Sequence, residues 1–222
     1  MKTVIFDLDG TLADTSQDLI AAANVCFTNL GLGALLDPTK DAGTALRGGR
    51  AMLTLGFSRV DGFGEQDIAG QYQVLLDAYA KDIDHHTVMY PGAMDAVEAL
   101  KMRGYGVGIA TNKPEGLAED LLRRLGVRGA FASLVGADTL MVKKPDPEHL
   151  FEAARRAGGI AALTCLVGDT ATDRNTAKAA GVPSILVTFG PSGENMAALN
   201  PEALLERYED LPAIVDRLMG AA

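Results

Sequence analysis

This sequence predicts an α/β fold: a parallel sheet covered on both faces by helices, with a second, helical domain inserted after the first strand. Three observations carry that prediction. Short apolar runs alternate with amphipathic stretches of helical period, which calls for β-α-β units and a parallel sheet. The first apolar run, Val4-Ile5-Phe6, ends abruptly in a pair of aspartates. Between residues 14 and 84 only helical periodicity occurs, so this block reads as a cap inserted into the core. At 222 residues the chain is long for one hydrophobic core, which fits a core of residues 1–13 and 85–222 with a cap of 14–84.

Taken in order, Val4-Ile5-Phe6 is a buried strand, and Gly10 allows the sharp turn after it. Thr15 caps the first helix, with Asp18 three residues on in the place of the usual Glu. Leu19, Ile20, Ala23, Phe27 and Leu30 form its apolar face, and Gly31 and Gly33 end it. A helix near Ala45–Leu55 and another over about Glu65–Ala80 follow, the latter with Ile68, Tyr72, Leu75, Leu76 and Tyr79 on one side. Tyr90-Pro91-Gly92 punctuates the return to the core. Ala93, Ala96, Val97 and Leu100 mark the next helix and Val107–Ala110 the next strand. Leu117, Leu121, Leu122 and Leu125 face inward from a helix that Gly126 stops. A short strand at Ser133–Gly136 and a helix through Leu150, Phe151 and Ala154 come next. The last two clear strands, Leu163–Val167 and Ser184–Val187, flank a helix around Thr172–Ala180, and Leu211, Ile214, Val215 and Leu218 form a C-terminal helix.

The bulk numbers narrow the function. Apolar residues at 48% and charged residues at 22% describe an ordinary globular chain. Twenty Lys and Arg against 29 Asp and Glu give a net charge of −9, which disfavours nucleic acid backbones and anionic membranes as partners. An anionic small substrate stays compatible, since a lysine and a metal ion can invert the field in one pocket. Cys26 and Cys165 each lie in an apolar segment and read as reduced core thiols of a cytoplasmic protein. No signal-peptide pattern stands at the start, and no run approaches the ~20 apolar residues a membrane helix needs.

The chemistry falls at strand exits, where α/β active sites sit. Asp7 and Asp9 leave the first strand on one side, and two such carboxylates repel unless paired or bound to a divalent cation. The second exit, Ala110-Thr111-Asn112-Lys113, offers a hydroxyl and the start of a helix, suited either to a phosphate or to plain capping. In Lys143-Lys144-Pro145-Asp146-Pro147, Pro145 keeps Lys144 out of the α region; the pair also fits a solvated basic turn. The fourth exit, Gly168-Asp169-Thr170-Ala171-Thr172-Asp173, puts two carboxylates within one helical turn, where the helix dipole favours them in any case.

Asp7-Leu8-Asp9-Gly10-Thr11, Thr111, Lys144 in Lys-Pro-x-Pro, and Gly168-Asp169-x-x-x-Asp173 resemble, in order, the four motifs of the haloacid dehalogenase superfamily. The likeness spans nearly the whole chain. It implies a Rossmann-like core with Asp7 as nucleophile toward phosphorus and Asp9 as general acid/base. Thr111 would bind the transferring phosphoryl group, assisted by Asn112, and Lys144 would neutralise both nucleophile and phosphate, leaving Lys143 at the surface. The implied metal ligands are the carboxylates of Asp7 and Asp169 and the backbone carbonyl of Asp9. An all-oxygen set points to Mg2+. Asp173 falls behind these ligands, orienting Lys144 or a metal-bound water.

Within the superfamily, Ala-Thr-Asn-Lys, Lys-Pro-x-Pro and the helical insert are similar to the phosphoglycolate phosphatase branch. The resemblance implies hydrolysis of a small phosphomonoester, 2-phosphoglycolate first, through an aspartyl-phosphate. In the cap, Arg47 or Arg50 is placed to clamp a substrate carboxylate, with plain solvent-exposed helix charges as the other reading. A phosphosugar mutase of the β-phosphoglucomutase type shares the motifs and the cap. A dehalogenase would not need Asp9. A receiver-like signalling module uses aspartates, a Thr and a Lys at parallel strand ends, but has no room for residues 14–84. Oligomeric state, monomer or homodimer, is open at this point.

Overall fold

A computed structural model describes residues 1–191 and 195–220. Its contacts divide the chain into two units, Met1–Ala13 with Met89–Ala222, and Asp14–Val88. The sequence boundary for the return was 85.

The first unit begins with β1 (Thr3–Phe6), every residue of which is buried. The chain passes through β2 (Ala13–Asp14) into the second unit. That unit holds α1 (Ser16–Asn29), α2 (Ala42–Ala45), α3 (Gly49–Phe57) and α4 (Glu65–Lys81). It returns through β3 (Val88–Met89), which pairs with β2. Then come α5 (Ala93–Met102), β4 (Gly106–Ala110), α6 (Glu115–Arg124), β5 (Ser133–Val135), α7 (Pro147–Arg156) and β6 (Thr164–Gly168). The chain closes with α8 (Ala171–Ala180), β7 (Ser184–Val187), β8 (Ala203–Leu205) and α9 (Leu211–Met219).

Six strands form one parallel sheet in the order β5-β4-β1-β6-β7-β8. Strand β1 is central, with Phe6 level with Ile109 of β4 and Val167 of β6. Its side chains alternate between faces, and both faces are dry, so a continuous apolar run is required. Ile5 joins Ala110, Val135, Leu150, Ala153, Ala154, Leu166 and Ala177 in the core under α7 and α8. Helices α5 and α9, which pack on one another and against β4 and β6, cover the sheet as a second pair. Successive strands run outward from β1 to β5 on one side and, after α7 crosses back, outward from β6 to β8 on the other. The crevice at this reversal opens at the carboxyl ends of β1, β4 and β6.

Several local readings change. Thr15 is the N-cap of α1 but makes no side-chain cap hydrogen bond. Asp18, expected to complete that cap, is buried and accepts from His86 N, Thr87 N and Thr87 Oγ1 instead. A carboxylate offered three donors 68 and 69 residues away binds them in preference to one local amide. The helix expected near Ala45–Leu55 is two, broken at Gly48, whose φ of 93° suits glycine. Leu30 and Tyr72 are exposed rather than packed, and Ala118 replaces Leu117 on the buried face of α6. Strand β8 was not anticipated; its exposed middle residue, Leu204, hides the alternation. Cys26 and Cys165 are both buried and free. Among the described residues no helix is long and apolar enough to cross a membrane.

Candidate active site

The three strand exits flagged by sequence meet in the first unit with the Lys144 turn, which lies just ahead of α7 rather than at the end of β5. Asp7 follows β1 directly and its amide donates to Val167 O of β6 at 2.9 Å, which fixes the backbone at the crevice. The turn after Asp9 needs the positive φ of Gly10, 78°. Tyr208 Oη donates to Thr11 O at 2.6 Å and pins this turn from below.

Lys144 bridges two of the exits. Its buried ammonium lies 2.9 Å from Asp7 Oδ1 and 2.7 Å from Asp173 Oδ1. Burial works against its charge, yet the two carboxylates hold it above the usual lysine range. Neighbouring Lys143 is exposed. Asp173 Oδ2 accepts from Thr170 Oγ1 at 2.7 Å and Thr170 N at 3.1 Å, so one carboxylate caps α8 and holds Lys144. Gly168 makes room for it: a Cβ there would sit 2.3 Å from Asp173 Cγ.

Asp169 Oδ1 accepts from Thr11 Oγ1 at 2.8 Å, while its buried Oδ2 has no hydrogen-bond partner. Burial, then the Asp173 and Asp7 charges, push its carboxyl well above the ordinary range. Asp7 is pushed up to about 6, by burial first and then by Asp173 and Asp9, with Lys144 opposing. Oxygens of Asp7, Asp169 and Asp173 all lie within 4.8 Å of one another.

A hard dication fits these residues. Four carboxylates (Asp7, Asp9, Asp169, Asp173) face two ammonium groups (Lys113, Lys144), which leaves two negative charges unmatched. The donors are all oxygens, and Asp169 Oδ2 is a buried anion atom without a donor.

Thr111 is buried at the end of β4; its amide donates to Val135 O, and its Oγ1 accepts from Lys113 N at 3.2 Å. The Asn112 side chain donates to Lys144 O at 3.0 Å, so it latches the lysine loop. Sequence reasoning assigned no role to two residues of this cluster. Thr11 orients Asp169, and its place in Asp-Leu-Asp-Gly-Thr was the signal. Lys113, 7% exposed, pairs with Asp9 at 2.7 Å, and its only signal was adjacency to Thr111-Asn112.

Arg47 and Arg50 belong to the second unit. Arg50 pairs with Glu65, and Arg47 Nη2 makes a 3.4 Å contact to Thr44 Oγ1.

A model of the haloacid dehalogenase-like hydrolase family matches residues 4–187. The chain is 35% identical to a phosphoglycolate phosphatase of Mesorhizobium japonicum, over 99% of this chain and 97% of that one. It is 36% identical to a phosphoglycolate phosphatase of Agrobacterium fabrum, over 98% and 95%. Among solved structures it resembles a predicted phosphoglycolate phosphatase from Haemophilus somnus, with a TM-score of 0.85, 22% identity and coverage of 96% and 97%. It also resembles CbbY from Rhodobacter sphaeroides in complex with phosphate, with a TM-score of 0.78, 23% identity and coverage of 97% and 99%.

Proposed function

The chain belongs to the haloacid dehalogenase-like hydrolase family, and from that premise we propose that it is a Mg2+-dependent phosphatase of 2-phosphoglycolate or a close small phosphomonoester, acting in the cytoplasm. Similarity to phosphatases over nearly its full length makes it a phosphomonoester hydrolase; substrate, metal and intermediate are the proposal. One observation carries it: Lys144 lies between Asp7 and Asp173 while Asp169 turns an unpartnered oxygen into the same cluster.

Asp7 Oδ attacks phosphorus as the P–O bond to the leaving alcohol breaks, giving an aspartyl-phosphate. Asp9 gives its proton to the departing oxygen. It then takes a proton from the water whose oxygen attacks phosphorus, and the Asp7–phosphorus bond breaks. Lys144 neutralises both the nucleophile and the incoming phosphate, and Asp173 keeps it aimed. Thr111 and the backbone at Asn112 receive the phosphoryl oxygens. The carboxylates of Asp7 and Asp169 with the Asp9 carbonyl would hold Mg2+, which when bound supplies charge neutralisation at the phosphate. Arg47 on the inserted unit reads the substrate carboxylate.

A panel of phosphate esters assayed with Mg2+ and with EDTA tests this. Free phosphate from 2-phosphoglycolate, lost on chelation, is expected. Isomerised sugar phosphate without free phosphate would instead make the protein a mutase.

A further inference from the structure

Lys113 takes no part in the reaction just described, yet its placement is specific. Its side chain is 4% exposed, and its ammonium donates to both oxygens of Asp9, at 2.7 and 2.9 Å. Its backbone is fixed as well: the amide donates to Thr111 Oγ1 at 3.2 Å, and the carbonyl accepts from Ala137 N at 2.9 Å. A buried stem on a fixed backbone has few rotamers, so the ammonium is a stationary point charge. The Asp9 side chain is 16% exposed, which lets water reach it.

An ammonium that donates to both oxygens holds the Asp9 carboxylate in one orientation, with both oxygens as acceptors. Release of the alcohol needs a donor at this position, whereas hydrolysis of the intermediate needs an acceptor. We propose that Lys113 is a positioning residue for the hydrolytic half-reaction, aiming the Asp9 carboxylate at the water that splits the aspartyl-phosphate. The inference rests on the two-step reading above. In the step it serves, the water oxygen bonds to phosphorus, the Asp7 Oδ–phosphorus bond breaks with its electron pair returning to Asp7, and the water proton passes to Asp9. Without Lys113, the Asp9 carboxylate loses the ammonium that spans both of its oxygens.

The test is pre-steady-state turnover of p-nitrophenyl phosphate with Mg2+ by wild type, Lys113→Met, Lys113→Arg and Asp9→Asn. This leaving group departs without a donated proton, so the assay isolates the hydrolytic half. Lys113→Met is expected to release a burst of p-nitrophenolate approaching one equivalent per chain. A steady rate lower by on the order of 10²-fold should follow. KM should fall with kcat, so that kcat/KM stays within a few-fold of wild type. Lys113→Arg, which keeps the cation, should restore fast turnover. Where the Met variant does not fold, Lys113→Gln is read the same way. A raised KM with kcat intact would make Lys113 a phosphate ligand and overturn the proposal. Loss of kcat/KM without a burst would overturn it in favour of a structural role. Asp9→Asn should show the same burst. If it does and Lys113→Met does not, the Lys113 proposal alone fails. If Asp9→Asn turns over at the wild-type rate, the assignment of Asp9 fails and takes the proposal with it.

Discussion

Asp173 and Lys144 form an ion pair 2.7 Å long whose side chains are 0% and 2% exposed, and the second oxygen of Asp173 caps α8 through Thr170. One carboxylate therefore serves the fold and the site together. Asp173→Ala leaves a buried ammonium with Asp7 as its remaining carboxylate and removes a helix cap. Loss of one partner of a buried pair costs about 3–5 kcal/mol. Urea unfolding at pH 7 should show that loss. Asp173→Asn, which keeps an oxygen acceptor, should unfold nearer to wild type while turnover falls.

Asp7→Asn separates chemistry from stability. Its carboxyl is pushed up to about 6 by burial and by its acidic neighbours, so the charge is a burden to the folded chain. Replacing it with an isosteric amide should leave the metal-free melting temperature unchanged or raised. Turnover should fall by roughly three orders of magnitude or more, as for loss of a nucleophile. Wild-type rates in a folded variant would remove Asp7 from the reaction.

The parts of this molecule legible in its sequence are those set by local pattern. Val4-Ile5-Phe6 reads as a strand dry on both faces, and the sheet buries every residue of β1. Asp7, Thr111 and Asp169 each follow a hydrophobic run, which placed them at strand exits, and Lys144 was marked by its Lys-Pro-x-Pro turn ahead of a helix. What stayed hidden depends on distant partners. Asp18 looked like a capping residue, but its donors come from His86 and Thr87. Lys113 looked like part of a helix start, but its charge is matched by Asp9, 104 residues away. Periodicity carries no information about such pairs. Edge strand β8 was missed because three residues with an exposed Leu204 give no repeat to detect.

Stability of the metal-free protein should fall as pH rises from about 4 to about 6. An unfolded aspartate titrates near 3.9, while Asp7 titrates at about 6 in the fold, so the folded chain binds that proton more tightly. This contribution is fully present below the unfolded value and is lost as pH rises through the folded one, by at most about 3 kcal/mol. Asp169 is shifted in the same direction. Asp37 and Asp41 are lowered, by backbone and Arg59 hydrogen bonds respectively, and act below this window. Melting with EDTA should therefore give a higher midpoint at pH 5 than at pH 7.5, and Asp7→Asn should flatten the trend. Mg2+ should stabilise more at pH 7.5, since its ligands must be deprotonated.

Asp169→Asn tests the metal directly. Thr11 Oγ1 can still donate to the retained amide oxygen, but the orphaned anionic Oδ2 is gone. Mg2+ affinity by calorimetry should weaken by about 100-fold or more, beyond the 10–100-fold typical of groups behind the ligands. The metal-free variant should melt at or above wild type, because one buried negative charge has been removed. Unchanged Mg2+ binding would exclude Asp169 as a ligand.

Under the proposed function, substrate reading by the inserted unit should be separable from phosphoryl chemistry. Arg50 is paired with Glu65 in its own unit, whereas among the described residues the Arg47 guanidinium makes a single 3.4 Å contact, from Nη2 to Thr44 Oγ1. Arg47 is thus the better placed of the two to exchange its contact for a substrate carboxylate, to which a guanidinium donates bidentately. Arg47→Ala should raise KM for 2-phosphoglycolate by about 10-fold or more, the equivalent of one charge-assisted hydrogen bond of about 1.5 kcal/mol. It should leave p-nitrophenyl phosphate, which has no carboxylate, within a few-fold of wild type. Arg50→Ala should change neither. Equal losses on both substrates would mean that Arg47 supports the fold of the inserted unit, and the carboxylate would then have to be read elsewhere.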